Sequence, residues 1–280
     1  MRTVGRGLRR VVAEPMGLLG LVLVALLLLT GLFADWLAPY DPNQISRDRL
    51  AGPSWEHPVG TDHLGRDVLS RVIKGTQIAL FVSVTATLLS MAGGLVLGLL
   101  AGYGPRWLDH LLVLLFDSTY AFPRIMLALA VVTILGPSLG TVILVVVVTT
   151  IPAYARLVRI STMSLKSADF ILAERSMGAS TARILSRHVL PNVAGPLFIV
   201  ASMDIPSVIT LEAGLTFLGL GVRPPAPSWG RILNDGYAHI FDASWVVVGG
   251  SVPLILATLG FTFLGESLRD VIDPRLRLRT

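Results

Sequence analysis

Six runs of about twenty mostly apolar residues recur along this chain, each the length a helix needs to cross roughly 30 Å of hydrocarbon. They lie near 17–35, 77–101, 108–135, 140–160, 192–217 and 246–265. Only 15% of the 280 residues are charged and 53% are hydrophobic, against about 25% charged in an ordinary soluble domain. That is too little charge to clothe a water-soluble surface, so lipid is the expected partner. The first run follows Arg6, Arg9 and Arg10 and has the outline of a secretory leader. Met16 to Phe33 is long for one, however, and no small-x-small cleavage pattern follows, so a retained helix is expected.

The net charge of +5 comes from arginine. The arginines cluster between the apolar runs, where they act as topology signals rather than a nucleic-acid footprint. With the N-terminus inside, the inner segments hold Arg2, Arg6, Arg9, Arg10, Arg106, Arg156, Arg159, Lys166, Arg175, Arg183, Arg187, Arg269, Arg275, Arg277 and Arg279. The outer segments hold Arg47, Arg49, Arg66, Arg71, Lys74, Arg223 and Arg231. The bias of 15 against 7 places both termini in the cytoplasm. Trp36, Tyr40, Tyr103, Trp107 and Trp245 fall near span ends, as interfacial aromatics do. Three hydrophilic segments result: outer 36–76, inner 161–191 and outer 218–245.

Catalytic motifs are missing. There is no phosphate-cradling G-x-x-x-x-G-K-[ST], no H-E-x-x-H and no G-x-S-x-G. The absence of cysteine excludes disulfides and thiolate chemistry. His57, Asp62 and His63 offer metal-ligand chemistry, but no ordered ligand spacing supports a metal site. Gly94, Gly98 and Gly102 share one helix face and permit close backbone approach, either within the subunit or between subunits. Asp117 and Arg124 are seven residues apart, two turns along one face, with Pro123 between them as a candidate kink. They are candidates for a translocation path or for a structural pair, since intramembrane charges face protein or water. Asp204 and Glu212 lie on the fifth span, with Glu212 expected near its outer end, where a charge costs less.

The inner segment carries the most information. Residues 168–177 favour a helix, and Phe170, Ala173 and Met177 recur at helical spacing. Gly178 would end that helix in the left-handed conformation. Thr181 to Val189 would restart a helix, which Pro191 would end or bend before the fifth span. An exposed apolar face on such a projection needs a protein partner or the bilayer surface.

This segment resembles the cytoplasmic signature of ABC importer permeases: Glu-Ala-Ala, three residues, Gly, nine residues, Ile-x-Leu-Pro. Here Leu172-Ala173-Glu174 stands first, Gly178 follows after three residues, and His188-Val189-Leu190-Pro191 after nine more. Leu172, Glu174 and His188 depart from the signature. The stretch His57 to Arg71, including Gly60, Thr61, Asp62, Gly65, Arg66 and Asp67, looks like the outer-loop motif of the dipeptide/oligopeptide/nickel permease family. Phe217 to Gly230, with Gly219, Gly221, Pro224, Pro225, Trp229 and Gly230, looks like that family's second outer motif, and Glu212 sits where the family often has Glu. Leu268 to Arg275 is similar to its C-terminus, and the long first outer loop to the "C-type" member of its permease pair.

The resemblance implies an all-α type I ABC importer permease fold with six transmembrane helices, in the inner membrane of a prokaryote. Residues 1–76 would form a cytoplasmic tail, the first transmembrane helix and an outer loop, and residues 77–280 the core permease domain with a coupling loop at 161–191. The expected function is import of di- or oligopeptides or a related solute. Nickel or glutathione transport, or a stand-alone secondary transporter, are the alternatives. The implied partners are a homologous second permease, two cytoplasmic ATP-binding subunits and an external solute-binding protein. ATP and Mg would be bound by the ATPase subunits, with no cofactor and no enzymatic activity in this chain. Asp169, Ala173, Glu174, Arg175, Gly178, Ala179 and Pro191 would form the coupling site.

Overall fold

The computed structural model describes residues 11–272. The basic terminal residues Arg2 to Arg10 and Arg275 to Arg279, and the end of the C-terminal motif, lie outside the described residues. The rest is nearly all helix: α1 (Pro15–Leu32), α2 (Ala34–Leu37), α3 (Val68–Tyr103), α4 (Arg106–Tyr120), α5 (Arg124–Leu135), α6 (Leu139–Lys166), α7 (Asp169–Ser176), α8 (Thr181–Ile184), a π-helical turn (Leu185–Val189), α9 (Leu190–Phe217), α10 (Trp229–Tyr237) and α11 (Ser244–Ile272). Helices α1, α3, α6, the α8–α9 rod and α11 are each long and apolar enough to cross a membrane, and the bent pair α4–α5 is a sixth when its halves are counted as one span.

Local chemistry sets the ends. Pro15 opens α1, where its missing N–H is no loss. Asp67 caps α3, accepting from the Ser70 backbone N–H and hydroxyl at 2.7 Å each. The helix of the second span therefore begins nine residues before the expected boundary at 76/77, which falls inside a continuous helix. Ser70, Arg71 and Lys74 read as loop by hydropathy, yet they occupy helix that extends beyond the bilayer. At 36 residues the rod is about 54 Å long, more than the hydrocarbon requires.

The third span breaks between Tyr120 and Arg124, and its halves meet at 91°. Pro123, without an N–H and hostile to helix before it, stands at the break. The expected common face of Asp117 and Arg124 is therefore lost. Asp117 pairs instead with Arg156 of α6 at 2.7 Å.

Helix α6 packs along α3 through the glycine seam. A Cβ at Gly94 would collide with Tyr154, at Gly98 would lie 2.6 Å from Ala155 O and Val158, and at Gly102 would lie 2.8 Å from Thr162. Of the two uses open to this face, the fold takes internal packing. Helix α11 runs beside α1, where Gly20 allows the backbone of Leu264 to approach.

Of the two outcomes expected at Pro191, an end or a bend, the end is not taken: the helix restarted at Thr181 runs on past it. The Leu190 N–H reaches back to Leu185 O through the π turn. Pro191 then enters the first turn of α9, where its lack of a donor matters least. The segment 218–245 also contains helix α10, capped by Ser228.

Candidate functional site

Three regions gather the candidate residues. At one end of the bundle, α7 forms a short knuckle. Ile171 is its inward anchor, buried against Tyr154, Val158, Ile184 and Val189. Phe170, Leu172 and Met177 are exposed, as are Asp169, Ala173, Arg175 and Gly178. The turn closes by Gly178 N–H donating to Arg175 O and Ala179 N–H to Glu174 O, both at 3.0 Å. Gly178 has φ +83°, and the space a Cβ would take is open to 4 Å, so glycine is needed here for conformation rather than room. Arg175 donates to the Tyr103 hydroxyl at 3.1 Å, and Lys166 to Tyr103 O at 3.2 Å, tying the knuckle to the end of α3. Glu174 meets His188 of the π turn at 3.4 Å, and Phe170 packs edge-on to the same imidazole. Pro191 lies exposed just beyond.

Within the spans, Arg124 begins α5 and donates to the Thr150 hydroxyl at 2.5 Å and to Thr149 Oγ1 at 3.4 Å. It lines a cleft of about 660 Å³ between α5 and α9. A charge deep in lipid costs about 2.5–3.5 kcal/mol, so it must face protein, water or a bound solute. The threonines that hold it, 25 and 26 residues away, give no local signal. Asp117, exposed beside Arg156, does not reach the cleft.

At the opposite end from the knuckle, the two outer-loop motifs lock together. Arg66 bridges Asp62 at 2.7 Å and Asp235 at 3.1 Å, Arg71 lies 3.6 and 3.9 Å from the same two acids, and Arg231 lies 3.1 Å from Asp235. Asp62, Arg66, Arg71 and Asp235 are all buried. The sequence motifs mark Asp62 and Arg66 but miss Asp235, which stands 169 residues from Arg66. Its only nearby hint is Arg231, one helical turn earlier. Asp62, His63 and Asp235 bring ligand atoms within 4.8 Å of one another. The guanidinium groups of Arg66 and Arg71 pair with both carboxylates, so the cluster is an ion-paired lock. His57 is taken up by Asp67 at 2.9 Å. Burial pushes the His63 imidazole below its ordinary value against the opposing pull of Asp235 and Asp62, and the ring stacks on His239.

Thr61 pairs with Asp67 in an isolated β-bridge, and Gly65 closes a turn against Ser46. Gly60 lies under Trp245. Trp229 is buried and donates to Val72 O at 3.1 Å, while Gly230 lets the start of α10 approach Ala213 of α9. Glu212 lies near the outer end of α9, as expected, yet it is fully enclosed there rather than in the less costly setting expected. Its Oε1 accepts from Thr216, whose hydroxyl oxygen accepts from the Val222 N–H. Gly221 approaches Thr216 too closely to carry a side chain, and Gly219 turns the chain at φ +78°. The Pro224–Pro225 peptide is cis.

Known proteins match this arrangement. Residues 94–278 match the family described as "Binding-protein-dependent transport system inner membrane component", and residues 5–53 the "N-terminal TM domain of oligopeptide transport permease C". The chain is 42% identical to the glutathione transport system permease protein GsiD of Pectobacterium atrosepticum, over 97% of this chain and 90% of that one. It is 40% identical to the di/tripeptide transport system permease protein DppC of Pseudomonas aeruginosa, over 92% and 88%. In fold it is similar to a chain of the inward-facing methionine ABC transporter MetNI, with TM-score 0.59 and 21% identity over 72% of this chain and 96% of that one. The chain belongs to the binding-protein-dependent transport system inner membrane component family and is a multi-pass inner-membrane permease subunit of an ABC importer.

Proposed function

We propose that this chain imports small peptides, glutathione-like tripeptides included, as one of two homologous permeases served by two cytoplasmic ATPases and an external receptor. The names of its relatives, glutathione and di/tripeptide permeases, support that solute class. Both termini face the cytoplasm, which follows from the arginine bias. ATP and Mg are held by the ATPases, and this chain carries out no catalysis.

One observation carries the reading. The α7 knuckle is anchored by a single buried isoleucine, Ile171, and presents Phe170, Leu172 and Met177 outward. A rigid projection of this kind suits a cleft in a motor subunit. Nucleotide-driven closure would move it as a lever and shift the spans between outward- and inward-facing states. Asp169, Ala173, Glu174, Arg175, Gly178 and Ala179 form the coupling surface, and Pro191 the joint behind it.

The test is reconstitution of the whole complex with Gly178→Val and Gly178→Asn. A branched residue in the left-handed region costs about 1–2 kcal/mol, whereas Asn tolerates it. Gly178→Val is expected to lose both uptake and receptor-stimulated ATPase activity, and Gly178→Asn to keep most of each. Unchanged coupling in Gly178→Val would remove the lever.

A further inference from the structure

The cleft between α5 and α9 runs from Arg124 to Phe217 and Leu218 at the C-terminal end of α9. Its volume of about 660 Å³ lies within the usual range for small-molecule sites. Most of its wall is apolar, with Ser207 and Thr210 exposed along one side. Arg124 brings it a positive charge. The hydroxyls of Thr149 and Thr150 orient the guanidinium but carry no charge to balance it. Among the described residues no carboxylate forms an ion pair with Arg124. Asp117 is committed to Arg156. Asp204 and Arg124 both lie within electrostatic reach of the buried Tyr154 hydroxyl, but no ion pair within 4.0 Å joins them. A lipid tail would fill the apolar wall and leave the cation unanswered. A small solute with an apolar body and one anionic end would satisfy both.

We propose that this cleft is one half of a solute-binding site for carboxylate-bearing molecules, with Arg124 as the residue that recognises the carboxylate. The proposal rests on the import function above and narrows it: a peptide is read in the membrane by its free C-terminal carboxylate. Arginine suits the task because its planar fork meets a carboxylate in two parallel hydrogen bonds and stays charged in a poorly hydrated place.

The chain has no native cysteine, so Ser207→Cys provides a reporter in the cleft. The purified permease–ATPase complex in nanodiscs, without receptor, is labelled with a maleimide in the presence of Ala-Ala or its C-terminal amide, and modification is read on this chain by its mass. At about ten times its Kd, Ala-Ala is expected to slow labelling roughly tenfold, with the amide giving little protection. Adding Arg124→Gln, which keeps an N–H donor for Thr150, is expected to abolish protection by the acid, and Arg124→Lys to retain part of it. Equal protection by acid and amide, or protection that survives Arg124→Gln, would overturn the assignment. So would absence of protection by either peptide in a complex that still imports Ala-Ala with its receptor, which leaves the import function intact. A complex with receptor that imports no peptide would remove the peptide-import reading, and this proposal with it.

Discussion

Glu174 and His188 both occupy slots where the permease signature has other residues, and the fold brings them to 3.4 Å across the knuckle. Two departures that meet in space are best understood together, as a replacement for the apolar contact an alanine and an isoleucine would make. The side chains are 32% and 23% exposed, respectively, and form an ion pair only with His188 protonated, so the contact contributes at most about 1 kcal/mol. Its value lies in holding α7 in register with the π turn. A double-mutant cycle of Glu174→Ala and His188→Ile is expected to show each single change lowering solute moved per ATP, with the double change recovering part of the loss. Strictly additive singles, measured in proteoliposomes, would show that the two side chains act independently. The order of residues in the signature was legible in the sequence. The contact was not, because Glu174 and His188 are separated by the Gly178 corner, whose direction depends on the bodies packed behind Ile171.

Among the elements, α3 and α6 form the spine, and the glycine seam is its weakest point for substitution. Gly98→Val would drive a branched side chain into Ala155 O and Val158, and overpacking of this kind costs about 1–3 kcal/mol. Gly195→Ala on α9, with open space around it, is the matched control. Thermal unfolding in detergent is expected to show a lowered midpoint for Gly98→Val and no change for Gly195→Ala. An unaffected Gly98→Val would mean the helices are free to separate. The spacing of four was visible in the sequence and required close packing of some kind, but its partner was undetermined, because the facing residues of α6 lie on a different element far along the chain. The break at Pro123 was legible as a kink. That it reaches 91°, and that Asp117 then meets Arg156 while Arg124 meets Thr149 and Thr150, was not legible, because all three partners lie on a different helix.

For the whole molecule, the proposed import function requires the Asp62–Arg66–Asp235 lock and the α7 knuckle to face opposite sides of the membrane. The cysteine-free chain makes this directly measurable. Trp55→Cys, at a fully exposed position in the first outer loop, is expected to react with an impermeant maleimide in intact cells. Arg106→Cys, at an exposed position where α4 begins after the inner turn from α3 and away from the coupling surface, is expected to react only after permeabilisation. The reverse pattern would invert the topology and detach the knuckle from any cytoplasmic motor. The position of each apolar run was determined by the sequence alone, because the cost of placing apolar or charged groups in lipid is summed locally along the chain. The outer lock, the enclosure of Glu212 and the unanswered charge of Arg124 were decided only by tertiary structure. Each depends on groups far apart in the chain that desolvate one another, and hydropathy along a single strand of sequence carries no record of which distant partner will be there.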